Sequence, residues 1–160
     1  MQGDRQVIDF LNKALTNELT AINQYWLHYR VLKNWGIDKL AEYERHESID
    51  EMKHADKLAD RVLFLEGLPN FQAIHKLKVG ENVEEILKAD LALEMEAIPL
   101  LKDAIRHCEE VRDYTSREVF ERILESEEGH VDFLETQFDL IARMGLQNYV
   151  QLQSEAAEAG

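Results

Sequence analysis

The chain has 160 residues and a formal net charge of −14. One domain of this length can bury a sizeable core. Its acidity excludes both nucleic acid, whose phosphates need a basic surface, and an anionic membrane face.

With 2 prolines and 7 glycines among many strong helix formers, the chain reads as all-α. The single cysteine, Cys108, forms no intramolecular disulfide, and there is no Cys-x-x-Cys for zinc or redox work. No apolar run approaches the length of a membrane span. The start, Met1-Gln2-Gly3-Asp4, lacks a basic region followed by an apolar stretch, so no signal peptide is expected and the expected compartment is the cytoplasm.

In chain order, Asp4 is a good N-cap for a first helix reaching about Asn34, where Gly36 stops it. Val7, Phe10, Leu11, Ala14, Leu15, Ala21, Ile22 and Tyr25 keep its apolar period. A second helix opens at Asp38 and runs through Leu65, with Gly67 expected at its C-terminal cap and Pro69 just beyond. The segment from Leu68 to Glu81 is too long for a tight turn; it reads as an ordered crossover running along the bundle. Asn82 and Glu85 form a capping box for a third helix reaching about Glu110, in which Pro99 should cause a kink near Glu94. A fourth helix follows Asp113 and ends at Met144, before Gly145. A short fifth, from about Leu146 to Glu155, carries Leu146, Tyr149, Val150 and Leu152 and needs a partner surface; the tail from Ala156 reads as frayed.

Glu51/His54 and Glu127/His130 are Glu-x-x-His pairs, and each follows a lone glutamate, Glu18 or Glu94, by 33 positions. The two halves are offset by 76 positions throughout (18 to 94, 51 to 127), and apolar positions obey the same offset: Val7 with Val83, Leu11 with Leu87, Leu15 with Leu91. Residues three apart share a helix face, so each pair aims a carboxylate and an imidazole at one point. Four carboxylates and two imidazoles on four helices match a di-iron or di-manganese carboxylate site. Buried without compensation, each carboxylate costs several kcal/mol, so together they need cations; two divalent ions balance four carboxylates with neutral histidines. Symmetry makes Glu51 and Glu127 the bridging groups and Glu18 and Glu94 the terminal ones. The oxygen-rich donor set suits iron or manganese.

Tyr25 lies seven residues after Glu18 on the same stripe, placed to hydrogen-bond a ligand carboxylate or to donate an electron. His46 and Asp50 form an i, i+4 pair that reads as a solvated salt-bridging face, with iron entry as the alternative. His28, His75 and His107 have no ligand-like spacing. Met52 points about 100° away from Glu51, and from spacing alone it reads as a packing residue at a subunit contact.

Longer runs carry a resemblance. Ala21-Ile22-Asn23-Gln24-Tyr25, His46-Glu47-Ser48-Ile49-Asp50-Glu51-Met52-Lys53-His54-Ala55-Asp56, Leu65-Glu66-Gly67-Leu68-Pro69, Asp90-Leu91-Ala92-Leu93-Glu94, Glu127-Glu128-Gly129-His130 and Met144-Gly145-Leu146-Gln147-Asn148-Tyr149 resemble the bacterioferritin family. The similarity extends over essentially the full length. It implies one ferritin-like domain over 1–160: a four-helix bundle at about 4–144, a long crossover between helices 2 and 3, and a short fifth helix at about 146–155.

The resemblance further implies a homo-oligomer, a hollow 24-mer shell built from two-fold dimers, that oxidises ferrous iron with oxygen or peroxide and stores ferric mineral. All six family ferroxidase ligands are present: Glu18, Glu51, His54, Glu94, Glu127 and His130. It also turns Met52 into an axial ligand of haem b, one haem per two subunits, assisting reductive iron release with a ferredoxin-type reductant. The alternative is a stand-alone di-iron enzyme of the rubrerythrin kind that reduces peroxide. The missing Cys-x-x-Cys module and the fifth helix count against it.

Overall fold

The computed structural model describes residues 1–155, which form five helices and no strand: α1 (Arg5–Asn34), α2 (Asp38–Phe64), α3 (Val83–Glu110), α4 (Tyr114–Met144) and α5 (Leu146–Leu152). The expected all-α, ferritin-like bundle is therefore present. The tail read as frayed lies outside the described residues. α5 is shorter than expected, ending at Leu152. α3 runs through Pro99 without a break.

Local chemistry sets the helix ends. Asp4 caps α1 by accepting Val7 N–H at 3.0 Å, and Asn82 caps α3 by accepting Glu85 N–H at 2.9 Å. Glu85 reaches back one residue further than a standard capping box, to Glu81 N–H at 2.8 Å. The expected cap at Gly67 is shifted: Glu66 takes the left-handed conformation, with φ 65°. Gly67 N–H then bonds Val62 O at 2.9 Å and Glu66 N–H bonds Leu63 O at 3.0 Å, a Schellman ending one residue earlier than the glycine suggests.

α1 and α2 pack as one antiparallel pair and α3 and α4 as another, with α1 against α3 and α2 against α4. Two large apolar clusters fill the two ends of the bundle. One, at the start of α1, includes Leu11, Leu15, Leu58, Val62, Cys108 and Phe120; the other, at its far end, includes Leu32, Leu40, Ile86, Leu87, Leu134 and Tyr149. Between them lies a polar layer holding the middle of every long helix.

The crossover, residues 65–82, is fastened to one polar stripe of α1. Asn12 Oδ1 accepts Asn70 N–H, Thr20 Oγ1 accepts His75 N–H, Gln24 Oε1 accepts Lys78 N–H and His28 Nε2 accepts Gly80 N–H, at 2.9–3.1 Å. These acceptors are spaced by multiples of four, so one helix face satisfies an irregular strand along its length. His75 also meets Asn17 Oδ1 at 3.1 Å, and His107 meets Asp4 Oδ1 at 2.9 Å. The histidines without ligand spacing thus fasten the frame. α5 is anchored within its own chain: the Tyr149 hydroxyl donates to Gln137 Oε1 at 2.8 Å, and Gln153 O accepts Lys39 N–H at 2.9 Å, supplying the cap that Ile37 lacks. Leu146 and Leu152 stay exposed.

Gly80 is where the crossover meets α3. A Cβ there would lie 2.3 Å from Ile86 N and 2.6 Å from its Cα, backbone atoms that cannot swing aside. Gly80→Ala is expected to cost about 1–3 kcal/mol through overpacking. Gly129, inside α4 with open space around it, is the contrasting site: Gly129→Ala should gain about 1 kcal/mol of helix propensity. Thermal melting of both variants checks the pair; two shifts of the same sign would contradict it.

Candidate metal centre

α1, α2, α3 and α4 bring Glu18, Glu51, Glu94 and Glu127 to the polar layer at mid-bundle, where all four are buried. Two overlapping groups form, each with ligand atoms lying within 4.8 Å of one another: Glu18, Glu51, His54 and Glu127; and Glu51, Glu94, Glu127 and His130. Glu51 and Glu127 belong to both. His54 Nδ1 faces Glu51 Oε2 at 3.3 Å, Glu127 Oε1 at 3.4 Å and Glu18 Oε2 at 3.6 Å. His130 Nδ1 faces Glu51 Oε1 at 3.2 Å, Glu94 Oε1 at 3.3 Å and Glu127 Oε2 at 3.4 Å. Each shared glutamate therefore turns one oxygen to each imidazole.

Further side chains orient these six. The Tyr25 hydroxyl donates to Glu94 Oε1, the first of the two roles its position suggests. His130 Nε2 meets the Glu47 carboxylate, leaving Nδ1 for the cluster. Glu47 is the residue that spacing underweights; it lies four positions before Glu51 and seven before His54, on the same inward stripe. His46 and Asp50 do not enter the layer. Their 3.9 Å pair sits at the surface, with Lys53 Nζ 4.0 Å from Asp50, which matches the salt-bridging face. Asp50 also approaches Glu47 and His130 closely enough to form a third potential group. Met52 is more than half exposed, beside a shallow hollow lined by Leu19, Ile22, Ile49, Ala55 and Phe71.

The electrostatics show a layer short of positive charge. Burial drives Glu51 above its ordinary range, helped by the Glu127 carboxylate. Burial acts the same way on Glu127, but its hydrogen bonds to His130 and His54 win and hold it down at about 2. Burial would lower His54, yet its bonds to Glu127 and Glu51 push it up to about 9; His130 is raised by the same contest, with Glu127 and Glu47 as partners. Both imidazoles thus carry protons as stand-in cations. Even so, Glu18 Oε2 and Glu94 Oε2 remain buried without a hydrogen-bond partner. Orphaned anionic oxygens, one in each of the two groups, are what a pair of divalent cations would satisfy.

A metal must displace those protons, so binding should weaken as pH falls below about 9, the His54 value, by about tenfold per pH unit for each proton released. Calorimetric titration with zinc in buffers of different ionisation enthalpy at pH 7 should show about two protons leaving per two ions bound. Heats independent of the buffer would contradict the protonated imidazoles.

Residues 8–144 match the family model for the ferritin-like domain. The chain is 50% identical over 158 residues to the bacterioferritin of Brucella melitensis biotype 1, covering 99% of this chain and 98% of that one. It is 50% identical over 159 residues to the bacterioferritin of Rhodobacter capsulatus, covering 99% of each. The bacterioferritin of Streptomyces coelicolor is 49% identical over 158 residues, 99% of this chain and 95% of its own. With half its residues shared over nearly its whole length and a ferritin-type bundle around the carboxylate layer, the chain belongs to the bacterioferritin family.

Proposed function

We propose that this chain stores iron and that its mid-bundle layer is the ferroxidase site that oxidises ferrous iron for storage. The supporting observation is the division of oxygens at Glu51 and Glu127, one toward each imidazole. That division suits two ions about a shared pair of carboxylates. Glu18 and His54 would complete one position, Glu94 and His130 the other. Ferrous iron is the substrate, giving one electron per ion to oxygen or peroxide. The protein's own residues bind and orient: Tyr25 holds Glu94, and Glu47 holds His130 through the nitrogen that faces away from the layer.

The ferric product needs an enclosed space, which a closed homo-oligomer of the family's 24-mer kind, built from two-fold dimers, would provide. The exposed Leu146 and Leu152 of α5 and the apolar hollow at Met52 are surfaces suited to neighbouring copies. Met52 would hold a haem b shared between two chains through its sulfur, since the side chain is exposed beside a mostly apolar hollow. Haem there would supply one-electron transfer from a ferredoxin-type reductant for iron release. The near-full-length match to bacterioferritins favours storage over a stand-alone peroxide-reducing enzyme of the rubrerythrin kind.

Glu94→Ala removes an acceptor of Tyr25 and a donor to one metal position, so stopped-flow oxidation of ferrous iron should slow at least about tenfold while the helices persist by circular dichroism. Near-native oxidation would contradict the site. Met52→Leu keeps volume and apolar character but removes the sulfur. That variant should assemble and oxidise iron normally, yet lose its haem absorbance; full haem content with an unchanged spectrum would remove Met52 from the haem site.

A further inference from the structure

Next to the metal layer, toward α5, a second set of buried polar groups comes together: His28 of α1, Glu44 of α2 and Asp90 of α3. Their ligand atoms all lie within 4.8 Å of one another, and all three side chains are buried. Asp90 Oδ1 accepts from Gln24 Nε2 at 3.0 Å and lies 2.9 Å from His28 Nδ1. His28 Nε2 accepts the Gly80 N–H at 3.1 Å. This last bond fixes the ring. A nitrogen that accepts carries no hydrogen, so His28 is neutral, with its single proton on Nδ1 donating to Asp90. The ring then offers a metal no free lone pair and adds no positive charge.

That leaves Glu44 and Asp90 to settle their charges alone. Glu44 Oε1, Glu44 Oε2 and Asp90 Oδ2 are buried and accept no hydrogen bond from any N–H or O–H donor among the described residues. The groups facing Glu44 are His28 from α1, Tyr25 close by on the same helix, Tyr43 and Glu47 from α2 itself, Asp90 from α3, His130 from α4 and Tyr149 from α5. The one cation among them, His130, is engaged by Glu47 and the metal layer. From the crossover, Lys78 turns its ammonium to Glu96 at 3.1 Å. Two adjacent buried carboxylates without a cation cannot both be ionised. Burial, then the Asp90 charge and a side-chain hydrogen bond to Asp90, hold Glu44 well above the ordinary carboxylate range.

We propose that Glu44 and Asp90 hold one proton between them, Glu44 donating to Asp90, and that this buried acid supplies a proton when oxygen or peroxide is reduced at the neighbouring iron site. Reduction of peroxide to two waters takes two electrons, one from each ferrous ion, and two protons. Glu44 gives one as solvent returns one to it, so that the pair never carries two charges; solvent also gives the second. Tyr25, bonded to Glu94, and Glu47, bonded to His130, each also lie near Glu44. The use of the proton rests on the oxidation proposed above. Its presence does not.

The test separates the two. Infrared spectra of the metal-free oligomer at pH 8, recorded as wild type minus Glu44→Gln, should show the carbonyl stretch of a protonated carboxylic acid that shifts in D2O. A glutamine side chain has the shape of a protonated glutamate and still donates to Asp90, so the variant should fold. Glu44→Asp, which keeps an acid, should shift the band rather than abolish it. No such band in wild type, or one that persists unchanged in both variants, overturns the shared proton. With peroxide and ferrous iron, Glu44→Gln should oxidise several-fold more slowly, and Glu44→Asp should recover part of the loss. A band that Glu44→Gln removes, together with wild-type oxidation in that variant, overturns the supply role. A wild-type protein that shows the band but oxidises no iron refutes the ferroxidase reading, and the proton's use with it, while the shared proton stands.

Discussion

The fold is organised around one costly act, the burial of four glutamates in a single layer at mid-bundle. Taking a carboxylate out of water costs several kcal/mol unless charge or hydrogen bonds compensate it. Among the described residues the cations at that depth are the imidazoles of His54 and His130, and both are held protonated by the carboxylates around them. Two positive charges against four negative ones leave the layer underbalanced, with orphaned oxygens on Glu18 and Glu94. Cations binding in place of the protons would complete the balance, so affinity for divalent metal follows from the same electrostatics that strain the metal-free fold.

The rest of the molecule keeps that layer dry and rigid. Apolar clusters close it above and below, so helix association does not depend on the polar residues between them. The long crossover allows α2 and α3 to run the same way, placing one ligand-bearing helix at each corner. Its irregular backbone would leave N–H groups unsatisfied, and the α1 stripe of Asn12, Thr20, Gln24 and His28 removes that penalty. His28 links this fastening to the carboxyl pair beside the metal layer, since one ring nitrogen serves the crossover and the other serves Asp90. A mutation that loosens the crossover therefore bears on the chemistry through one side chain.

The four long helices and the six clustered side chains were legible in the sequence because two periodicities coincide there: the helical repeat of apolar residues and the 76-position offset of the Glu-x-x-His pairs. That Glu51 and Glu127 each turn an oxygen to both imidazoles agrees with the expectation drawn from symmetry alone. What could not be read was polar partnership across helices. Glu47 is not singled out by ligand spacing because acidic residues crowd α2, and only its place on the inward stripe distinguishes it. His28, Glu44 and Asp90 are distant in sequence and meet only once three helices pack. The glycine signal also misled locally. Gly67 marks the end of α2, but Glu66 adopts the left-handed turn; Gly67 is needed for close packing instead, since a Cβ there would lie 2.9 Å from Ile8 Cγ2.

Glu51 and Glu127 are proposed to serve two metal positions and Glu18 and Glu94 one each. Anaerobic titration with cobalt(II), followed by its ligand-field absorption, measures this directly as ions bound per chain. Saturation at two ions is predicted for the wild type, with loss of one tight site in Glu18→Ala and loss of both in Glu51→Ala. One ion per wild-type chain, or two tight sites surviving in Glu51→Ala, would contradict it.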